Sequence, residues 1–286
     1  MWQNVLGLAG AVPVVVFASA IAFHRWKAKQ RGVRLPTTEK LLRPPGYSLS
    51  RHVESLGDSL MSWLLGAYLA SLCSVGTWKS TPNDMAGEML FLGVFGIAAA
   101  LCTVVAWRKW LKLRRARLGL LGEQAVAEQL QTLGLKGYQV FHDLPGDGKW
   151  NVDHVVVGPA GVFVIETKAR IKQPGPAGGP DFKVAFDGRI LRFPGGLDRK
   201  AAQQAMANAK WVAGMLSKAT GETVRAVAIV ALPGWLVKRD KPDFEVQVFN
   251  PKEVPGFIAY AETKLSGKQI QQIAYQLDQR CRDVAF

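Results

Sequence analysis

The sequence predicts an N-terminal membrane region followed by an α/β domain with a mixed β-sheet. Three long uncharged stretches lie within the first 107 residues. The remainder alternates helical patterns with short β-branched runs, joined in some places by tight turns and in others by helices, which is typical of a sheet with antiparallel and parallel neighbours. The chain has 286 residues, 49% of them hydrophobic and 20% charged, so disorder is not expected.

The uncharged stretches cover residues 2–23, 59–78 and 89–107. Each is close to the roughly 20 residues that an α-helix needs to cross the hydrocarbon of a bilayer. Tryptophans, which favour membrane interfaces, lie in or near these stretches: Trp2, Trp26, Trp63, Trp78, Trp107 and Trp110. We therefore predict three transmembrane helices in a membrane region formed by residues 1–110.

Basic residues predict the orientation of these helices. Eight Lys and Arg lie between residues 25 and 51 and six between 108 and 117, whereas the connector 79–84 has one Lys and one Asp. The positive-inside rule then makes both basic segments cytoplasmic, with the N-terminus outside. We expect a multi-pass protein of the inner or plasma membrane. A basic juxtamembrane linker, 111–118, leads into a cytoplasmic domain, 119–286.

Two alternatives compete with this topology. The first stretch resembles a cleaved signal peptide at Ala18-Ser19-Ala20, but no Lys or Arg precedes it, and cleavage would export eight basic residues. The second and third stretches could instead be buried helices of a soluble protein, which their length and the flanking Arg cluster disfavour.

The charge of the chain says little about its partner. Of the formal net charge of +14, residues 1–118 carry +10 (15 basic, 5 acidic) and the remainder +4 (21 basic, 17 acidic). The membrane topology already accounts for most of this excess. The three cysteines have no paired spacing and the four histidines are scattered, so no disulfide framework or zinc site is expected.

The cytoplasmic domain begins with a predicted amphipathic helix from Gly119 to a stop at Gly134. We expect its apolar side to contain Leu120, Leu121, Ala125, Val126 and Leu130. A strand at 138–142 follows. Two β-branched runs, 152–157 and 162–167, are joined by the turn sequence "GPAG" and form a hairpin. The second run is apolar at both odd and even positions, which point to opposite faces of a strand. This pattern favours a central strand covered on two faces.

The remaining elements follow from turn and capping signals. Asp187-Gly188 has the chemistry of a type I′ turn, and Asp198 can cap a helix. Asn250-Pro251 is a good helix start. The predicted elements are a small hairpin of 183–186 and 189–193, a helix to about Lys218, strands at 223–232 and 245–249, and a final helix at about 267–282.

Three charged residues interrupt the apolar hairpin. If Val157 faces Val162 across the turn, Asp153 faces Glu166, and Lys168 projects to the same side as Glu166 because alternate residues share a face. Two carboxylates with waters suit Mg²⁺, and a neighbouring lysine can orient the attacking water or stabilise a phosphate. The hairpin therefore predicts a metal-dependent phosphodiester-hydrolysing site, in which His154, on the opposite face from Asp153, is structural.

The residues that carry this pattern resemble a known family. "VD" at 152–153 followed by "ETK" at 166–168 resembles the PD-(D/E)xK nuclease superfamily. The wider string "GLLGE…NVDHVVVGPAGVFVIETK…QQAMANA" resembles the nuclease-related domain, NERD, over roughly 119–232. This resemblance implies a restriction-endonuclease-like α/β sandwich and a nuclease that uses Mg²⁺ or Mn²⁺ to hydrolyse nucleic acid, with DNA the expected substrate.

The resemblance also implies roles for individual residues. Asp153 and Glu166 would bind the metal and Lys168 would be catalytic. Glu123, in "LGE", matches an acidic residue beside the metal site, and Gln204, in "QQAMANA", matches a positioning glutamine. Val152 departs from the superfamily's proline, at a variable position.

Structural interpretations without a catalytic role remain open for these residues. Glu166 and Lys168 could form a surface ion pair worth about 0–1 kcal/mol. Glu123 could be a first-turn helix acid, and Gln204 an ordinary exposed glutamine. Trp150 could stack on a base, and basic residues near the site could line a nucleic-acid path: Lys149, Arg170, Lys172, Lys183, Arg189, Arg192, Arg199 and Lys200.

Two other functions compete with the nuclease. A non-catalytic module of the same fold could bind nucleic acid or a protein at the membrane. A scaffold whose spans carry the function is disfavoured, because the spans contain no charged residue.

Overall fold

The computed structural model describes residues 23, 26–27, 40–78, 85–148, 150–172, 182–239 and 245–284. They belong to two compact units. The first contains Ser59–Arg108 and the N-terminal residues, and the second contains Lys40–Asp58 and Lys109–Ala285.

The described residues form five α-helices and eleven strands. The helices are α1 (Tyr47–Trp78), α2 (Met85–Gln131), α3 (Ala201–Thr220), α4 (Val254–Ala259) and α5 (Gly267–Cys281). The strands are β1 (Leu41–Leu42), β2 (Gln139–Pro145), β3 (Asn151–Gly158), β4 (Gly161–Thr167), β5 (Lys183–Phe186), β6 (Leu191–Phe193), β7 (Gly196–Asp198), β8 (Ala226–Ala231), β9 (Leu236–Arg239), β10 (Val246–Phe249) and β11 (Arg282–Val284).

Two helical segments, Tyr47–Cys73 and Met89–Lys136, are long and apolar enough to cross a membrane by length and composition. The first covers residues 59–73 of the second predicted span, 59–78, and the second contains the whole third predicted span, 89–107. Large apolar side chains there are exposed, among them Met61, Leu64, Met89 and Ile97, which is not expected of buried core helices. The first predicted span lies outside the described residues apart from Phe23, and so does the connector 79–84.

The second unit is built on a five-stranded mixed sheet with the order β10-β8-β4-β3-β2. β4, β8 and β10 are parallel neighbours, whereas β2, β3 and β4 pair antiparallel. A mixed-sheet α/β fold is therefore confirmed. Strand β4 is central and covered on both faces, as predicted: Val162 and Val164 belong to one core cluster, Phe163 and Ile165 to the other.

The register of the core hairpin is the predicted one. Val157 pairs with Val162, and Gly158 with Gly161 across Pro159-Ala160. Gly158 is required sterically, because a Cβ there would lie 2.1 Å from Cδ1 of Tyr138. The short turn between Gly158 and Gly161 determines this register.

Two details of the predicted elements are wrong. The stop at Gly134 is displaced, because a 3₁₀ turn at Thr132–Lys136 follows α2 and ends at Gly137 with φ 79°. The hairpin of β5 and β6 has a four-residue loop instead of a type I′ turn, since Phe186 pairs with Leu191. The Asp187 carboxylate accepts from the N–H groups of Arg189 and Ile190 and thereby stabilises the longer loop.

The buried face of α2 also differs from the prediction. Leu121 is 64% exposed, and Ala125 is exposed as well. The buried residues are Glu123, Val126, Ala127, Leu130 and, in the 3₁₀ turn, Leu133. Their spacing of three and four residues is a helical stripe. The reason for the error is that Glu123, an acid, occupies a position on the buried stripe.

Other predicted elements agree with the structure to within a few residues: α3, α5, β8 and β10. Asp198 stabilises the start of α3, since its Oδ1 accepts from the N–H groups of Lys200 and Ala201. A second sheet, β7-β6-β5-β9, and the antiparallel pair β1–β11 were not predicted. Through β1, the segment Lys40–Asp58 belongs to the second unit, whereas the predicted membrane region, 1–110, included it.

Candidate active site

The site lies at the ends of β3 and β4 that are remote from the hairpin turn. The last paired residues there are His154 and Ile165, so Asp153 and Glu166 occupy the next positions outward. The N–H of Thr167 donates to Asp153 Oδ2 at 2.7 Å. Asp153 is thus fixed beside Glu166, as the extrapolated register predicted.

Glu166 is held by a lysine and an asparagine. Lys168 Nζ donates to Glu166 Oε1 at 2.7 Å and to Gln204 Oε1 at 3.0 Å. Asn208 Nδ2 donates to Glu166 Oε2 at 2.9 Å. Glu166 is only 2% exposed, so its contact with Lys168 is no ordinary surface ion pair. The structure therefore brings together Glu166, Lys168 and Gln204.

Asn208 was not predicted as a site residue. It is buried on α3, one helical turn after Gln204. Residues four apart lie on the same helix face, so its position in "QQAMANA" was the available signal. Its amide satisfies the second oxygen of Glu166.

Glu123 enters the site from α2. It is 8% exposed, and its Oε2 is buried without a hydrogen-bond partner among the described residues. Burial raises the pKa of Glu123 to about 7, with further raising from the nearby carboxylates of Asp143 and Glu166. An acid on a buried helical stripe, with one oxygen unsatisfied, is costly unless it has a functional partner.

Gly122 allows α2 to approach the end of β4. A Cβ on Gly122 would lie 2.6 Å from Cβ of Ala169 and 3.4 Å from Cγ2 of Thr167. Gly122→Ala is therefore expected to displace the helix and to destabilise the protein by about 1–3 kcal/mol, as overpacking does. Chemical unfolding would measure this. The control is Gly134→Ala, where a Cβ meets nothing within 4 Å; equal stability of the two variants would contradict the close approach.

Asp143 organises a second buried network next to the site. It has φ 51° and is fully buried. Its carboxylate accepts from Arg43 Nη1 at 2.9 Å, Ser48 Oγ at 2.6 Å and Asn151 Nδ2 at 2.6 Å. Burial raises the pKa of Asp143, and the bonds from Ser48 and Arg43 oppose that rise. The sequence did not predict this network, because Arg43 and Ser48 are far from Asp143 in the chain.

A pair of histidines lies beside Thr167. The Nδ1 atoms of His142 and His154 are 2.9 Å apart, and His154 Nε2 is 3.2 Å from Thr167 Oγ1. Burial lowers the pKa of His142 to about 4 and that of His154 well below its usual range. Both rings are therefore neutral at pH 7, and they support the strand that carries Asp153.

The site contains more negative than positive charge. Burial, followed by repulsion from Glu166 and Glu123, raises the pKa of Asp153 well above its usual range, and burial also raises that of Glu166. Across the described residues, no group of three or more His, Cys, Asp or Glu side chains is arranged to hold a metal ion. Asp153 and Glu123 are nevertheless open at one oxygen each, because nothing in the described part of the chain donates to Asp153 Oδ1 or Glu123 Oε2.

A basic groove of about 560 Å³ adjoins Lys168 and Gln204. It is lined by three of the basic residues noted in the sequence, Arg170, Arg199 and Lys200. Arg170 is paired with Asp198 at 2.6 Å. Lys149 lies outside the described residues.

Comparisons with known proteins identify one family. No curated protein and no solved structure matches the chain. Residues 118–233 match the family model of the nuclease-related domain. This range contains Glu123, Asp153, Glu166, Lys168 and Gln204. The chain therefore carries a nuclease-related domain, NERD, at residues 118–233.

Proposed function

We propose that the protein is a membrane-anchored nuclease that hydrolyses nucleic-acid phosphodiester bonds with Mg²⁺ or Mn²⁺. The nuclease-related domain indicates a nuclease-related function and nucleic-acid binding. The observation that carries the proposal is the convergence of Glu123, Asp153 and Glu166 on a single lysine, Lys168. Two apolar helices support the anchor, and the basic segments flanking them favour a cytoplasmic domain.

No three His, Cys, Asp or Glu side chains among the described residues form a ready metal site, but two carboxylates with waters meet the needs of a small divalent cation. Mg²⁺ takes oxygen ligands, usually only one or two carboxylates, and keeps several waters. In our proposal Asp153 and Glu166 hold the cation, and Glu123 assists through its unpartnered Oε2. Burial raises the pKa values of all three carboxyl groups, and neighbouring carboxylates add to the rise at Glu123 and Asp153. A bound cation would favour the ionised form of each group. When bound, the cation supplies charge stabilisation at the phosphoryl oxygens and activation of water.

The remaining roles belong to side chains that already contact one another. Lys168 is held by Glu166 and Gln204, so its ammonium group is oriented to stabilise phosphate charge or to position the attacking water. Gln204 is a positioning residue for Lys168. Asn208 fixes Glu166 by occupying its second oxygen.

Cleavage by the purified full-length protein tests this function. Single- and double-stranded DNA and RNA would be incubated with Mg²⁺, Mn²⁺ or EDTA. Wild type is expected to cleave only with metal, and Lys168→Ala to lose about 100-fold or more in rate, as removal of one charge-stabilising group does. Lys264→Ala, at an exposed residue, is the matched control.

The alternative, a non-catalytic binding module, gives a different result. No substrate would be cleaved under any condition, and nucleic-acid binding would survive Asp153→Ala and would not depend on metal. That outcome would reject the enzymatic proposal.

A further inference from the structure

One face of α3 connects the candidate site to a second groove. Lys200, just before the helix, and the helical residues Gln204, Ala207, Trp211, Gly214 and Lys218 are spaced by four, three, four, three and four. At 3.6 residues per turn, these intervals place all six on one helical face, which we call the α3 stripe. Its first two residues line the groove beside Lys168, and its last four line the second groove.

The second groove has a volume of about 960 Å³ and lies between α3 and α5. Lys210, Lys218 and Arg280 contribute positive charge. The one acidic lining residue, Asp147, accepts from Trp211 Nε1 at 2.8 Å and from Arg280. Because both Asp147 oxygens are engaged and Lys210 and Lys218 are exposed, the groove favours an anionic ligand.

One aromatic residue that lines this groove, Trp211, packs against a second indole, that of Trp150. The ring centroids of Trp150 and Trp211 are 4.8 Å apart, at 75° to each other. Trp150 is 40% exposed. Its indole lies against Gly146, since a Cβ there would be 2.4 Å from the Trp150 ring. An exposed ring fixed in place by its neighbours offers a stacking surface at a low entropic cost.

From these observations we infer that the α3 stripe is the path of a single-stranded nucleic acid. Bases stack at Trp150, which Trp211 supports from the groove, phosphates contact Lys210 and Lys218, and the strand continues past Gln204 to Lys168. A single strand is favoured over a duplex because aromatic stacking requires unpaired bases. From Lys200 to Lys218 the helix rises about 27 Å, enough for several nucleotides. The direction of the path toward Lys168 rests on the proposed function, whereas binding does not.

Fluorescence anisotropy with labelled oligothymidylate and oligouridylate, on the full-length protein in detergent and EDTA, tests the path. Each lost phosphate contact lowers the slope of log affinity against log salt by about 0.7 for single strands. Lys210→Ala/Lys218→Ala is therefore expected to lower the slope by about 1.4. Trp150→Ala is expected to weaken binding about tenfold. The control is Lys252→Ala/Lys264→Ala, at two exposed lysines outside both grooves.

The outcomes separate this inference from the proposed function. A reduced salt slope in a protein that cleaves nothing would support the path and reject the nuclease. The path would be overturned, even in an active nuclease, if Lys210→Ala/Lys218→Ala had the salt slope of the control variant and Trp150→Ala had its affinity. An unlabelled duplex and an unlabelled single strand of equal length would also be compared as competitors. Equal competition by the two would overturn the choice of a single-stranded ligand.

Discussion

Glu123→Gln is expected to stabilise the metal-free protein at pH 8 and to slow its metal-dependent cleavage. Glu123 is 8% exposed, and burial together with Asp143 and Glu166 raises its pKa to about 7. For an acid whose pKa is raised by folding, the stabilisation is complete below the unfolded pKa of about 4.5 and is lost as pH rises through about 7. Glutamine remains neutral, so the variant should gain about 2 kcal/mol over wild type at pH 8 and much less at pH 5.

Urea unfolding in EDTA at the two pH values, followed by tryptophan fluorescence, measures this gain. Glu128→Gln, at an exposed residue of the same helix, is the control and should change stability little at either pH. A gain in stability combined with a loss of activity is expected of a residue kept for function. If Glu123→Gln were less stable than wild type at pH 8, the Glu123 carboxylate could not be an uncompensated buried charge.

Arg43→Ala is expected to destabilise the second unit by about 3 kcal/mol, because it leaves a buried carboxylate without its cation. Arg43 Nη1 donates to Asp143 Oδ2 and to the Asp143 carbonyl at 2.9 and 3.0 Å, and its Nε donates to Asp283 at 2.7 Å. The bonds to Asp283 add support for the β1–β11 pair. Thermal and urea unfolding of the full-length protein would measure the loss.

Two further variants test the cause of that loss. Arg51→Ala, at an exposed residue of α1, should stay within about 0.5 kcal/mol of wild type. Asp143→Asn in the Arg43→Ala background should recover part of the stability, since it removes the unpaired charge. Additive losses in the double variant would show that Arg43 and Asp143 act independently.

The features that the sequence predicted depend on residues close to one another in the chain. The β3–β4 register depends on the short turn between the strands, and that register alone brings Asp153 and Glu166 together. Lys168 follows because it is two residues from Glu166 on the same strand face. Similarly, β8 and β10 are short β-branched runs that are recognisable on their own.

The parts that were not predicted depend on contacts between distant segments. Arg43 and Asp143 are 100 residues apart, and no local pattern connects them. Strands β5 and β9 pair in parallel although Lys183 and Leu236 are far apart in sequence. The buried face of α2 was misassigned because Glu123 lies on it, and binary patterning places an acid on the exposed side. That conflict between pattern and burial is itself a mark of a functional position.

Calorimetric titration of Mn²⁺ into the metal-free full-length protein measures directly whether the candidate site binds a metal. We expect one binding event with release of protons near pH 7, because cation binding ionises carboxyl groups whose pKa values are raised. Asp153→Asn should abolish binding, and Asp187→Asn, in the loop between β5 and β6, should preserve it. The absence of binding in wild type, or equal binding in Asp153→Asn, would contradict the assignment of these carboxylates as a metal site.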